Sequence, residues 1–507
     1  MRLLEYVEKN SRLYPSKAAF IFEDIRCSFL EFSERVYRLT NGLISLGVKK
    51  GDKVAVVAEN CFEWPEIYMG AGKAGAVVVP LNYRLIPREL SYLIGHSEAT
   101  TIIVSQNFAQ AVDSIRSELK MVKNYICIGD SVDMISYNEL LSNAATTKPE
   151  LKGDESDLYL ISYTGGTTGR PKGAMLTYKN LWEQILAAWI IELERNHDDI
   201  GVVNTPLFHS ASYWPLFGAT VMGNTQMILG QPDAASLLEA IHKEKITILG
   251  LMPLVINFLL SSPDLSKYDL SSLRVISIGG APANEAQLRS IMDITGCRVL
   301  YSGGQTEVGI IAATYMGESG EGGSKGRLGT AGREVLNIQL RVVDDNDNDV
   351  APDQVGELVA RGPGVMQGYW RLPEETAESL KSGWQHTGDL VRIDEEGYIW
   401  YVDRKKDMIR SGGENVYSKE VEDVIYTHPS VSEVAVIGVP DEKWIEAVKA
   451  LVILKEGHEA AEKEIIDHCR KYISGFKCPK SVEFCSSFPR TGLGKINKVE
   501  LRQMWKK

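Results

Sequence analysis

Cysteine is scarce. The 507 residues hold seven (Cys27, Cys61, Cys127, Cys297, Cys469, Cys478, Cys485), scattered and never in a C-x-x-C pair. That spacing supports neither a disulfide framework nor a cysteine zinc site, and a reducing cytoplasm fits it best. Long apolar runs are missing too. None approaches the roughly 20 residues that span a bilayer. The opening MRLLEYVEKNSRLYP mixes charge into its apolar residues, unlike the unbroken core of a signal peptide. The chain reads as soluble, with peripheral membrane contact and homodimer formation left open. Excess positive charge is also absent: 55 Lys and Arg face 67 Asp and Glu, a formal net charge of -12. Neutralising phosphate backbones needs a basic surface, so a nucleic-acid binder is disfavoured. A local basic patch around a small polyanion is not. Internal repeats and low-complexity tracts are lacking.

What is present is an ordinary globular composition, 44% hydrophobic and 24% charged. The length exceeds what one core supports, so two or more domains are expected. Short apolar runs alternate with helical patterns. Strands are expected at 53–58, 76–80, 101–105 and 124–128, with a helix at 61–74. Further on come strand 158–162, helix 180–195, strands 246–249 and 275–278 around helix 254–260, and helix 284–295 leading to strand 298–301. This alternation predicts layered α/β architecture with largely parallel sheets. After Gly332 the pattern turns to strands and turns (338–343, DDNDND, 357–360), a smaller β-rich lobe. The charged stretch DRKKD separates strands 398–402 and 408–410. Beyond it, helices 418–427 and 459–473 with strands 431–439 and 447–454 make a unit large enough to fold separately. The expected fold is α/β: a large multi-lobed N-terminal domain over 1–402, a hinge at 403–407, and a smaller, mobile α/β C-terminal domain over 408–507.

Five segments carry chemistry. In Tyr163-Thr-Gly-Gly-Thr-Thr-Gly-Arg-Pro-Lys-Gly173 a strand runs into a loop with four glycines and three hydroxyls. Glycines let backbone N–H groups approach phosphate oxygens, while hydroxyls and Lys172 add donors and charge. The G-K-[ST] ending of a Walker loop is absent. Gly303-Gly-Gln-Thr-Glu307 follows strand 298–301, and strand ends are where α/β sheets collect ligands. The others are His386-Thr-Gly-Asp389, the stretch Asp403–Asn415 with its Ser-Gly-Gly, and Pro489-Arg-Thr-Gly-Leu-Gly-Lys-Ile496. Alone, each reads as a turn, a charged linker or a solvated tail.

Together and in this order they resemble the acyl-adenylate-forming superfamily, in its acyl-CoA synthetase subgroup, over nearly the whole chain. The resemblance implies ATP, Mg²⁺ and coenzyme A as cofactor and co-substrates, and a small carboxylic acid as the partner to be activated. By it, Thr164, Gly166, Thr167, Thr168, Gly169 and Lys172 bind the ATP phosphates, although Gly165 stands where the family has serine. Gly304, Gln305 and Thr306 contact nucleotide and Glu307 holds the metal, a task for which one carboxylate suffices. Asp389 takes the ribose hydroxyls, Arg404 the ribose and phosphate, and Lys406 is the pivot. Ser411, Gly412 and Gly413 line the pantetheine path. Lys495 reaches the carboxylate and α-phosphate. One position departs from the family: Gly303 replaces an aromatic residue that stacks on adenine.

His209 narrows the class. Amino-acid-activating relatives place an aspartate there for the substrate ammonium, and a buried histidine supplies no permanent negative charge. The expected substrate is therefore an acid without an α-amine. The stretches 213–217 and 279–282, with Gly280, Ala281 and Pro282, are expected to wall an apolar pocket for a medium- or long-chain fatty acid or another aryl or cyclic acid. An adenylating enzyme with a non-CoA acceptor, such as a carrier protein, would carry the same nucleotide motifs, as would an inactive nucleotide or acyl sensor.

Overall fold

The computed structural model describes all residues except 1, 132, 151–152, 165–170, 188–193, 231–232, 261, 263, 281–284, 317–328, 413, 492–494 and 505–507, and of 2, 254, 257, 285 and 286 the backbone alone. Two compact units emerge. The first comprises 1–164, 171–339 and 360–385; the second comprises 165–170, 340–359 and 386–507. Among the described residues no helix is long and apolar enough to cross a membrane.

The first unit holds two large sheets. One has seven strands in the order Ile135–Ser136, Asn124–Ile128, Ala99–Ser105, Lys53–Val57, Val77–Leu81, Leu158–Thr164, Lys172–Thr177. All its pairs are parallel except the last. Apart from Lys53 at its start, its central strands, KVAVV and VVVPL, are apolar because helices and neighbouring strands leave neither face to water. The other sheet has nine strands: Arg333–Glu334, Gly309–Met316, Arg298–Gln305, Val275–Ile278, Ile248–Leu251, Ile200–Val203, Thr225–Ile228, Ala18–Phe22 and Ile25–Ser28. It is parallel inside and antiparallel at both ends. The layered, largely parallel α/β expectation holds.

The second unit contains most of a four-stranded sheet (Gln339–Val343, Gly356–Arg361, Gln385–Ile393, Ile399–Arg404) and a five-stranded one built around Val431–Asp441 and Ile445–Leu454. Helices Ser418–Tyr426, Glu462–Arg470 and Lys498–Met504 belong with the latter. Compactness thus groups the β-rich lobe with the C-terminal residues, and 403–407 lies inside this unit.

Several boundaries differ from expectation for identifiable reasons. The helix expected from 180 begins at Tyr178, because Thr177 caps it and Asn180, its third residue, bonds back to the cap. The helix expected from 459 begins at Glu462, where the Glu464 carboxylate accepts from Ala461 N at 2.8 Å. The strand expected to end at 301 continues to Gln305, since Gly309–Met316 returns antiparallel beside it with a register shift at Gly303/Gly304. A β-carbon on Gly304 would lie 2.3 Å from Gly309 O and 2.7 Å from Ile310 Cα, so only glycine admits this return. Gly304→Ala is expected to destabilise the protein by about 1–3 kcal/mol, read as a lower urea midpoint. An unchanged midpoint would mean that the return has room to spare.

Candidate active site

The return between those two antiparallel strands carries Thr306 and Glu307, both buried. Thr306 Oγ1 lies 3.0 Å from Ser210 Oγ, and its carbonyl accepts from Gln184 Nε2 at 3.3 Å. Ser210 opens helix Ser210–Met222, whose cap is His209: Ala211 N donates to His209 Nδ1 at 3.1 Å. That bond requires Nδ1 to be unprotonated. The start of this helix, and His209 with it, is thereby set beside Thr306.

Glu307 is held by hydroxyls. Thr164 Oγ1 donates to Oε1 at 3.3 Å and Tyr369 OH donates to the same oxygen at 3.1 Å. Among the described residues no donor reaches Oε2, and no cation pairs with the carboxylate. Lys172, at the start of strand Lys172–Thr177, places its ammonium 5.3 Å from the Tyr369 ring centre. Thr164, Lys172, Thr306, Glu307 and His209 therefore share the first unit, and the first four gather around the ends of two sheets. Gln305 ends its strand, and Gly280 is an exposed residue at φ 81°. Gly166, Thr167, Thr168 and Gly169 lie outside the described residues, as do Ala281, Pro282 and Gly413.

Two expectations change here. The stretch 213–217 does not stand free as a pocket wall: Tyr213, Leu216 and Phe217 are fully buried, with Phe217 against Tyr68 and Tyr159. These rings complete the core instead. Tyr369 was missed altogether. It sits 62 positions from Glu307 in a Gly-Tyr-Trp run that carries no chemical signal of its own.

The second unit gathers the remaining charged candidates. Asp389 was expected in a turn and lies instead in strand Gln385–Ile393, in register with Arg404 at the end of strand Ile399–Arg404. Their side chains form an ion pair, Nε to Oδ1, at 2.8 Å. Thr387 Oγ1 accepts from Asp389 N at 3.1 Å and the Thr387 carbonyl accepts from Arg404 at 3.3 Å. Lys495 stands among these groups. Lys495 as a whole is exposed, but protein atoms crowd the ammonium, and this loss of hydration, then the charge of Arg404, lowers its pKa to about 8. Ser411 is buried at the end of a short strand. At Gly412, φ 63°, a β-carbon would meet the Trp444 ring at 2.7 Å.

The stretch 403–407 is anchored from several directions. Asp403 caps helix Ser418–Tyr426, accepting from Ser418 N, Ser418 Oγ (3.2 Å) and Lys419 N (3.4 Å); Tyr417, the residue before the helix, contributes no side-chain cap. Lys405 pairs with Glu357 (3.0 Å) and Asp345 (2.9 Å). Three residues beyond Lys495, Lys498 donates to Ser418 Oγ (2.8 Å) and pairs with Glu422 (2.6 Å), while Arg502 pairs with Asp407 (2.7 Å). Burial opposes the charge on Lys498, but the carboxylates of Glu422, Asp407 and Asp403 outweigh it and raise its pKa.

A family model described as AMP-binding enzyme matches residues 7–370, and its C-terminal-domain counterpart matches 420–495. The chain belongs to the AMP-binding enzyme family. Curated relatives include feruloyl-CoA synthases of Amycolatopsis and Streptomyces, 36% identical over 501 residues, covering 98% of this chain and 97% of theirs. A long-chain-fatty-acid–CoA ligase of Mycobacterium tuberculosis is 33% identical, covering 95% and 94%. Among solved structures, an anthranilate CoA ligase in complex with anthranoyl-AMP superposes with a TM-score of 0.91 at 28% identity, covering 99% of this chain and 97% of that one. ATP-bound MatB from Rhodopseudomonas palustris gives 0.90 at 28%, covering 99% of both. Within its family this AMP-binding enzyme is an AMP-forming acyl-CoA synthetase, an acid–thiol ligase.

The tail of the enzyme supplies a stability test. Removing the Lys498 ammonium leaves the largely buried Glu422 carboxylate without its cation. Lys498→Met is expected to cost about 3–5 kcal/mol, and Glu422→Leu in the same chain to recover most of that. Chemical denaturation of both variants reads this directly. A double variant as unstable as the single would show that packing, not the stranded carboxylate, carries the loss.

Proposed function

We propose that this synthetase activates an apolar carboxylic acid lacking an α-amine, an aryl or fatty acid, as its adenylate and passes the acyl group to CoA. The observation that carries the chemistry is the grouping of Lys495 with the Asp389–Arg404 pair. It sets an ammonium beside the two groups expected to hold the ribose and phosphate. The substrate class draws support from His209 in place of a carboxylate, and from relatives named for ferulate and for long-chain fatty acids.

In the first step a substrate carboxylate oxygen attacks the α-phosphorus of ATP. An O–P bond forms, the α–β bridge breaks and pyrophosphate leaves. Lys495 orients the carboxylate and offsets charge between the two anions. Lys172 and the hydroxyls of Thr164, Thr167 and Thr168 bind the departing phosphates, with Gly166 and Gly169 allowing close approach. Glu307 fits a divalent cation, since its Oε2 accepts no hydrogen bond among the described residues; Mg²⁺ bound there would neutralise phosphate charge. In the second step the CoA sulfur attacks the acyl carbon, a C–S bond forms, AMP leaves and the thiol proton passes to solvent. Ser411, Gly412 and Gly413 border the thiol's path.

Lys495 and the incoming thiol cannot occupy the same side of the acyl carbon at once. A hinge at 403–407, with Lys406 as pivot, lets the domain over 408–507 withdraw Lys495 between steps. Lys495→Ala is accordingly expected to lower adenylate formation by about two orders of magnitude while thioester formation from preformed adenylate stays near the parent rate. Equal loss of both half-reactions would remove the assignment. Lys495 works as an ammonium, so adenylation should decline as pH rises through about 8. The second half-reaction should lack this limb, as single-turnover rates at each pH would show. The substrate class is tested by CoA-dependent AMP and thioester release across straight-chain, aryl and cyclic acids. Pyrophosphate release without thioester would move the acceptor away from CoA.

A further inference from the structure

The segment that carries Tyr369 is fixed on several sides. Gln367 N donates to Met175 O and Met175 N to Gly368 O, each at 2.9 Å, and Trp370 N donates to Gly173 O at 2.8 Å. Residues 367–370 thus run as an added partner along strand Lys172–Thr177. Met366 N donates to the carbonyl of Glu307 itself at 2.8 Å. Tyr369 N donates to Thr376 Oγ1 at 2.9 Å, and Trp370 Nε1 to His96 O at 3.0 Å. A ring on a backbone so constrained has little freedom to be elsewhere. From that backbone the hydroxyl reaches Glu307 Oε1 and the ring lies beside the Lys172 ammonium.

We propose that Tyr369 is a positioning residue for adenylation: with Thr164 it holds one oxygen of Glu307 so that the other is presented to the divalent cation of the bound nucleotide. This rests on Glu307 being the cation's ligand. A carboxylate has two equivalent oxygens and rotates about its last bond. One donor leaves that rotation open. Two donors from different elements, both on Oε1, fix the plane of the group, and among the described residues Oε2 is left without a hydrogen bond. Partners that orient a metal ligand in this way typically change metal affinity or activity by 10- to 100-fold when removed.

The test is Mn²⁺ binding to the enzyme saturated with α,β-methylene-ATP, followed by electron paramagnetic resonance. It compares the wild type, Tyr369→Phe, Glu307→Gln and the double variant. Phenylalanine keeps the ring and removes only the donor. Tyr369→Phe is expected to weaken Mn²⁺ binding about tenfold and to raise the Mg²⁺ concentration for half-maximal adenylate formation. Thioester formation from preformed adenylate should be unchanged. In the double variant the tyrosine change should add nothing to Glu307→Gln, since it acts only through that carboxylate. Wild-type Mn²⁺ affinity in Tyr369→Phe overturns the proposal, as do additive losses in the double variant. Wild-type affinity in Glu307→Gln instead overturns the ligand assignment itself, which separates the two failures.

Discussion

A carboxylate nearly withdrawn from water has to be hydrogen-bonded or paired, and Glu307 is such a group. Among the described residues it is satisfied by two hydroxyls on one oxygen, with no cation paired to it. An arginine in Tyr369's place would quench the charge. Hydroxyls keep it, so a negative point is held ready on a rigid frame. The frame is what the surrounding backbone supplies. Gly304 admits the close return that brings Thr306 and Glu307 off the sheet, Ser210 and Gln184 hold that return from below, and residues 366–370 close over it.

The second unit presents the complementary electrostatics. Arg404, Lys406, Lys495 and Arg502 share a neighbourhood with two carboxylates, Asp389 and Asp407, so the local balance is positive although the chain is acidic overall. Crowding of like charges at Lys495 is tolerated because the tail that bears it is clamped just downstream. Lys498 and Arg502 tie the last helix to Glu422, Ser418 and Asp407, and Asp403 caps the helix that holds Ser418. Ionic contacts that look like surface decoration in the sequence therefore anchor the segment around the charged cluster. This anchoring also explains why a tail lysine, ordinarily a solvated group, can have a specific place.

Much of the candidate site was legible before any fold was known, because the phosphate chemistry proposed for it demands particular residue types at short spacing. Glycines beside hydroxyls and a lysine announce the 163–173 segment, and Gln-Thr-Glu after a strand announces the second. Local reading failed where pairing partners overrule propensity. Gly303-Gly304-Gln305 looks like a loop, yet Gly309–Met316 draws it into a sheet. Asp389 looks like a turn residue, yet register with Arg404 makes it a strand position. The run 213–217 has the composition of a pocket wall and of a core alike; only neighbours such as Tyr68 and Tyr159 distinguish the two.

The sequence by itself determined the α/β class, the family and the order of the candidate nucleotide segments, since each depends on residues within a few positions of one another. Contacts between distant residues were decided only by tertiary structure. Tyr369 meets Glu307 across 62 positions and Lys498 meets Ser418 across 80. No spacing rule predicts such meetings, because they depend on where the sheets carry the backbone.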